Sequence, residues 1–155
     1  MSEVDLQNVL GMAIQREIEA HAFYTGLAGR VNSAEARETL NFLAAEEKKH
    51  REFLESYRDS GLGPEALRQT EPIEYKIAEY MEKPDKEGDL QSQEAYLIAA
   101  HRELNAYNFY RELAALHPRG EIRAMLEKMA VEEMKHKEKV EYLYANTAFA
   151  QTDGG

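Results

Sequence analysis

The sequence repeats itself at a fixed offset, and few architectures can accommodate that. A shift of 86 residues lays Ala13-Ile14-Gln15-Arg16-Glu17 on Ala99-Ala100-His101-Arg102-Glu103 without a gap. Ala20, Phe23, Tyr24, Leu27 and Ala28 then fall on Ala106, Phe109, Tyr110, Leu113 and Ala114. Glu35, Arg37, Leu40 and Ala44 match Glu121, Arg123, Leu126 and Ala130. Glu46-Glu47-Lys48-Lys49-His50 matches Glu132-Glu133-Met134-Lys135-His136. About 18 of 43 aligned positions are identical, which two related copies of one unit explain.

Each copy reads as two helices around a short turn. Ala, Glu, Leu, Lys and Arg dominate and only four prolines interrupt the chain, a bias toward long helices. The predicted helices are 3–30, 34–59, 91–116 and 120–146. Ser33 is placed to cap the second, and Pro118 and Gly120 punctuate the turn before the fourth. Between the copies, Gly61, Gly63, Pro64, Pro72, Pro84 and Gly88 break up residues 60–90, with a short helical stretch around Ile73 to Met81. So long a connection is unusual unless it crosses the bundle, which would make the second and third helices point the same way. The expected fold is all-α: a ferritin-like four-helix bundle of two repeated hairpins (3–59 and 91–146) joined by a long crossover. One domain then spans 1–150, and 147–155 form a C-terminal tail.

Composition narrows the function classes. With no cysteine, disulfides, thiolate zinc sites, iron–sulfur clusters and cysteine nucleophiles are excluded. A net charge of -10 argues against nucleic-acid binding. The start shows no secretory signal, and the longest apolar run, Tyr96 to Ala100, is far below the ~20 residues that span a bilayer. The expectation is a cytoplasmic protein with neither nucleic acid nor membrane as partner.

Apolar spacing locates the chemistry. Leu6, Leu10, Ala13, Glu17, Ala20, Tyr24, Leu27 and Val31 alternate by fours and threes, a seam facing the bundle interior. The second helix gives Leu40, Leu43, Glu47, His50, Leu54 and Tyr57; the third gives Tyr96, Ala99, Glu103, Ala106, Tyr110 and Leu113. The fourth gives Ile122, Leu126, Met129, Glu133, His136, Val140 and Leu143. Glu17 and His50 are equally far from the first turn, as Glu103 and His136 are from the second. At ~1.5 Å per residue all four lie ~24 Å from their turns. Glu47 and His50, like Glu133 and His136, are three apart and share a helix face. Six polar groups therefore converge on one core layer.

Four buried carboxylates without counter-charge would each cost several kcal/mol or take up protons. No lysine or arginine sits in these seams, whereas two divalent cations would balance the four carboxylates. Mixed oxygen and imidazole ligation suits iron or manganese, alone or mixed. Glu46 and Glu132 lie one step off the seam and read as solvated. His21 reads as a surface or half-buried histidine, and His101 and His117 as surface and turn residues respectively. Tyr24 and Tyr110 lie two turns from Glu17 and Glu103, and a buried phenol needs a partner. Each is expected to hydrogen-bond a carboxylate of the opposite hairpin and orient it.

Glu17…Tyr24, Glu47-x-x-His50, Glu103…Tyr110 and Glu133-x-x-His136 together resemble the rubrerythrin branch of the ferritin-like di-iron proteins, over nearly the whole chain. The resemblance implies two iron ions, with Glu17 and Glu103 as terminal ligands, Glu47 and Glu133 bridging, and each histidine capping one metal. It implies reduction of hydrogen peroxide or dioxygen, and a homodimer; haem and iron–sulfur clusters are not expected. Typical rubrerythrins also carry a four-cysteine rubredoxin-like site, absent here, so electrons would come from a separate rubredoxin-like donor. Peroxidase members carry a further carboxylate in the third helix where this chain has Ala106, which weakens peroxide reduction as the main reaction. Ferrous iron oxidation with storage, or a metal-binding scaffold without turnover, are the alternatives.

Overall fold

The computed structural model describes residues 3–60, 75–84 and 88–150, with side chains at 3–6, 60 and 148–150 left aside. Four long helices account for nearly all of it: α1 (Glu3–Ala28), α2 (Ala34–Ser60), α4 (Ser92–Ala115) and α5 (Glu121–Ala150). A single turn, α3 (Ile77–Tyr80), lies in the crossover. The repeat therefore appears as two helical hairpins, α1–α2 and α4–α5, whose internal packing is the most extensive in the molecule. Ser33 caps α2 as its position predicts, its Oγ accepting from the Ala36 N–H at 3.2 Å. Gln91 opens α4 with a reciprocal capping box, its N–H donating to Glu94 Oε1 at 2.9 Å.

The starts of α1 and α2 fall at the expected residues, and the other helix bounds differ by one to four residues. The largest difference is at α5, which runs to Ala150. The short crossover helix is confined to Ile77–Tyr80, while Ile73 and the breakers Gly61, Gly63, Pro64 and Pro72 lie outside the described residues.

One contact fixes the relative direction of the hairpins. Leu90 pairs with the α1–α2 turn: its N–H donates to Arg30 O at 2.8 Å, and Asn32 N–H donates to Leu90 O at 3.3 Å. Gly88, at φ 83°, turns the chain into this pairing. Both α2 and α4 thus begin at the same end of the bundle and run in parallel, as a lengthwise crossover requires. The core falls into two apolar clusters. One, around Leu27, Leu40, Leu43, Tyr96 and Val140, lies toward the α1–α2 turn; the other, around Leu10, Ile14, Leu54, Met125 and Met129, lies toward the α4–α5 turn. The polar layer separates them. No helix among the described residues is long and apolar enough to cross a membrane.

Candidate metal centre

All six seam residues meet in that layer. Glu17, Glu47, Glu103 and Glu133 are 2% exposed or less, and His50 and His136 are 6% exposed. They form two overlapping groups, Glu17–Glu47–His50–Glu133 and Glu47–Glu103–Glu133–His136; within each, the donor atoms lie within 4.8 Å of one another. Glu47 and Glu133 belong to both.

The sequence repeat reappears as exchanged contacts. His50 Nδ1 lies 3.1 Å from Glu133 Oε1, and His136 Nδ1 lies 3.0 Å from Glu47 Oε1. Tyr24 Oη donates to Glu103 Oε1 at 2.7 Å, and Tyr110 Oη donates to Glu17 Oε1 at 2.7 Å. Each tyrosine reaches across to the other hairpin and holds one oxygen of its glutamate. The two imidazoles stack at 5.3 Å between ring centroids, 11° from parallel.

Electrostatics show what the layer lacks. Among the described residues, Oε2 of Glu17 and of Glu103 is buried without a hydrogen-bond partner, His50 Nδ1 standing 3.8 Å from that of Glu17. Burial, then the neighbouring carboxylates of Glu47 and Glu133, push both glutamates well above the usual carboxyl range. Burial also works against ionised Glu47, yet hydrogen bonds from a proton-carrying Glu17 and from His136 and His50 hold it well below that range. Burial lowers both histidines, but the facing carboxylates outweigh it, those of Glu133 and Glu47 for His50 and of Glu103 and Glu47 for His136, and raise them well above the ordinary value. Without cations the layer therefore gathers protons. The two orphaned oxygens, the surplus of carboxylate and the O/N donor set fit two divalent transition-metal ions.

The remaining polar residues stay outside the cluster. Glu46 and Glu132 pair with Lys49 at 3.5 Å and Lys135 at 3.6 Å. His21 Nδ1 lies 2.8 Å from Ala44 O and His101 Nε2 lies 2.7 Å from Met81 O, so both rings tie elements together. His117 stands in the turn but is buried, 8% exposed, with Nδ1 2.7 Å from Leu113 O. It lies in the turn as the sequence reads, and its ring closes the end of α4. Lys137, absent from the seam reading, is fully buried beside His136. Its ammonium is held by Glu79 at 2.8 Å and Glu141 at 3.0 Å, and its ion pairs reach none of the four clustered carboxylates.

A search of curated proteins finds no match. A solved structure of a hypothetical protein from Pyrococcus furiosus is similar, with a TM-score of 0.62 and 26% identity over 91% of this chain and 89% of that one. The rubrerythrin family model matches residues 8–144. That span contains the whole repeat, both Glu-x-x-His pairs and the glutamates facing them, and the chain belongs to the rubrerythrin family of ferritin-like di-iron proteins.

Proposed function

We propose that the chain is a di-iron oxidoreductase that reduces hydrogen peroxide or dioxygen with electrons from a separate donor. The observation that carries this reading is the pair of four-residue groups sharing Glu47 and Glu133. On it, Glu47 and Glu133 would be shared by two ions, Glu17 and His50 would complete one site, and Glu103 and His136 would complete the other. Two ferrous ions held by these residues would supply the two electrons that, with two protons, reduce one hydrogen peroxide to two waters.

The chain's own residues set the conditions. Tyr24 and Tyr110 hold one oxygen of each terminal glutamate and leave the other free for a ligand. Burial and the nearby glutamates, Glu103 for Tyr24 and Glu17 for Tyr110, raise both phenols well above their ordinary value, so they remain donors. The two apolar clusters exclude bulk water above and below the layer. Re-reduction needs an external reductant, such as a rubredoxin-like protein, because this sequence has no cysteine for a second iron centre. A homodimer in the cytoplasm is the assembly this reading carries.

Anaerobic reconstitution with ferrous ion, followed by timed addition of peroxide and of dioxygen, tests the proposal. Expected are two irons per chain and oxidation much faster than that of free ferrous ion. Two irons with no acceleration would reject the redox role and leave a scaffold. A large iron-filled assembly would point to storage instead.

A further inference from the structure

The chain carries a net charge of -10, yet a cavity of about 270 Å³ where α1, the crossover and α4 meet is lined by basic side chains. Arg30 reaches it from the turn after α1, Lys83 from the crossover, and His101 and Arg102 from α4, where Asn105 adds an amide. Among the described residues, no carboxylate lines it. Ile98 and Phe23 give it an apolar wall. Contacts within the chain hold the donors in place. His101 Nε2–H donates to Met81 O at 2.7 Å, which ties the crossover to α4 two residues before Lys83. Arg30 Nε donates to Gly88 O at 2.9 Å. Arg102 lies over the Phe23 ring, 4.8 Å from its centroid. Stacking uses the face of the guanidinium and leaves its N–H edge for an acceptor.

The repeat supplies a comparison inside the same molecule. The matching stack, Arg16 over Phe109 at 4.1 Å, is present in the other half. There, however, Gln15, Glu19 and Leu116 stand where the cavity has His101, Asn105 and Arg30, and no crossover brings a lysine. Gln15 Nε2 donates to Glu19 Oε1 at 3.3 Å, so a carboxylate occupies that surface. The positive lining is therefore particular to one half and is no by-product of the repeat. We infer that this cavity binds a small phosphate-bearing molecule, its phosphate among Lys83, His101, Arg102 and Asn105 and its organic part against Ile98 and Phe23. A phosphate monoester brings about two negative charges and three acceptor oxygens, which suits donors arriving from different elements. The volume lies just under the ~300 Å³ at which small-molecule pockets begin, so the ligand is of metabolite size. Arg102 directly precedes Glu103, and the cavity borders the metal layer without sharing a residue with it.

Phenyl phosphate is the probe, titrated calorimetrically at low ionic strength into the cobalt-loaded and the metal-free chain. Saturation at one site per chain with the same Kd in both forms is expected, and phenol, which has the ring without the phosphate, is expected not to bind. Asn105→Glu installs the residue found at the matching position of the other half, on an exposed helical position. It is expected to weaken binding by about tenfold or more, roughly 1.4 kcal/mol. Lys83→Glu, on the exposed crossover, is expected to do the same should the first variant not fold. Arg111→Glu, exposed on α4 outside the cavity, is expected to leave Kd within about twofold although it changes charge as much as Lys83→Glu. Absence of saturable binding, equal binding of phenol, or equal weakening by Arg111→Glu overturns the site. Binding confined to the cobalt-loaded chain would place the phosphate on the metal and overturns it as well. A chain that takes up no cobalt and still binds the probe supports the cavity and rejects only the di-metal reading.

Discussion

Two clusters of buried charge lie side by side along α5, one around His136 and one around Lys137. In the second, Lys137 and Glu141 are fully buried, and the ammonium is shared between Glu141 and Glu79. The other oxygen of Glu141 accepts the Ala78 N–H at 2.7 Å. Every charge there meets a partner from the same chain, and the effect is to fasten α3 of the crossover to α5. In the first cluster, four carboxylates face two imidazoles, and one oxygen each of Glu17 and Glu103 is without a hydrogen bond among the described residues. Burial alone does not mark a functional site, since both clusters are buried. What separates them is whether the chain supplies the counter-charge.

The comparison breaks most visibly in stability. Lys137→Met leaves the Glu141 carboxylate buried without its counter-charge and is expected to cost about 3–5 kcal/mol, with or without metal. Glu103→Gln keeps an acceptor for Tyr24 and removes a group that carries a proton when no cation is bound. It is expected to change the metal-free protein by no more than about 1 kcal/mol. Added cation reverses the ranking: a thousandfold excess over Kd stabilises the parent chain by roughly 4 kcal/mol per site. Glu103→Gln forfeits one such gain, while Lys137→Met retains both. Chemical denaturation of both variants, with and without cobalt, reads this directly. Equal losses in the metal-free state would erase the distinction between the clusters.

The same contrast explains what was legible in the sequence. The six converging residues were readable because each interrupts an apolar seam of period four and three, and because the repeat shows every interruption twice. Ser33 and the turn at Pro118 were readable from local chemistry. Lys137 was not, because it sits in Lys135-His136-Lys137-Glu138-Lys139, which looks like a solvated face. Its i,i+4 partner Glu141 was a visible hint. Its other partner, Glu79, comes from the crossover, whose docking no helical period encodes. The place of His117 in its turn was legible, but its burial was not, because only the packed end of the bundle shows that its ring closes α4. The Arg16–Phe109 and Arg102–Phe23 stacks join residues from different copies, so the repeat displayed them without revealing that they touch.

The pH dependence of the metal-free protein sharpens the comparison further, with a smaller effect. Glu17, Glu103, His50 and His136 all hold protons in the folded chain more tightly than ordinary carboxyls and imidazoles do. Above about pH 4.5 for the glutamates and 6.5 for the histidines, the unfolded chain has released protons that the folded chain keeps. The unfolded state then binds fewer protons, so stability falls as pH rises, by up to about 1.4 kcal/mol per unit for each group. Glu47 has the opposite sign, but its contribution changes only below about 4.5, as its depressed carboxyl is finally protonated. Thermal melts of metal-free protein between pH 6 and 9 are expected to show a falling Tm. Cation affinity rises over the same interval, because metal and protons compete for the same atoms. A metal-free Tm that climbed with pH would contradict the proton-gathering account.

The smallest effect isolates the tyrosines. In the metal-free chain, Tyr24 donates to a Glu103 held protonated, a bond between neutral groups worth about 1 kcal/mol. With a cation bound, Glu103 is ionised and the same bond becomes charge-assisted, worth about 1.5–3 kcal/mol. Tyr24→Phe is therefore expected to weaken the loaded protein more than the empty one, and the difference must appear as lost affinity. About 1.4 kcal/mol corresponds to a tenfold rise in Kd, at the low end for residues that orient metal ligands. Tyr110→Phe should do the same through Glu17, on the other metal. Cobalt titrations of the two variants should each show one site weakened and one unchanged. If both sites weaken equally in both variants, the tyrosines act through the bundle as a whole, and the pairing of each hydroxyl with one glutamate carries no separate weight.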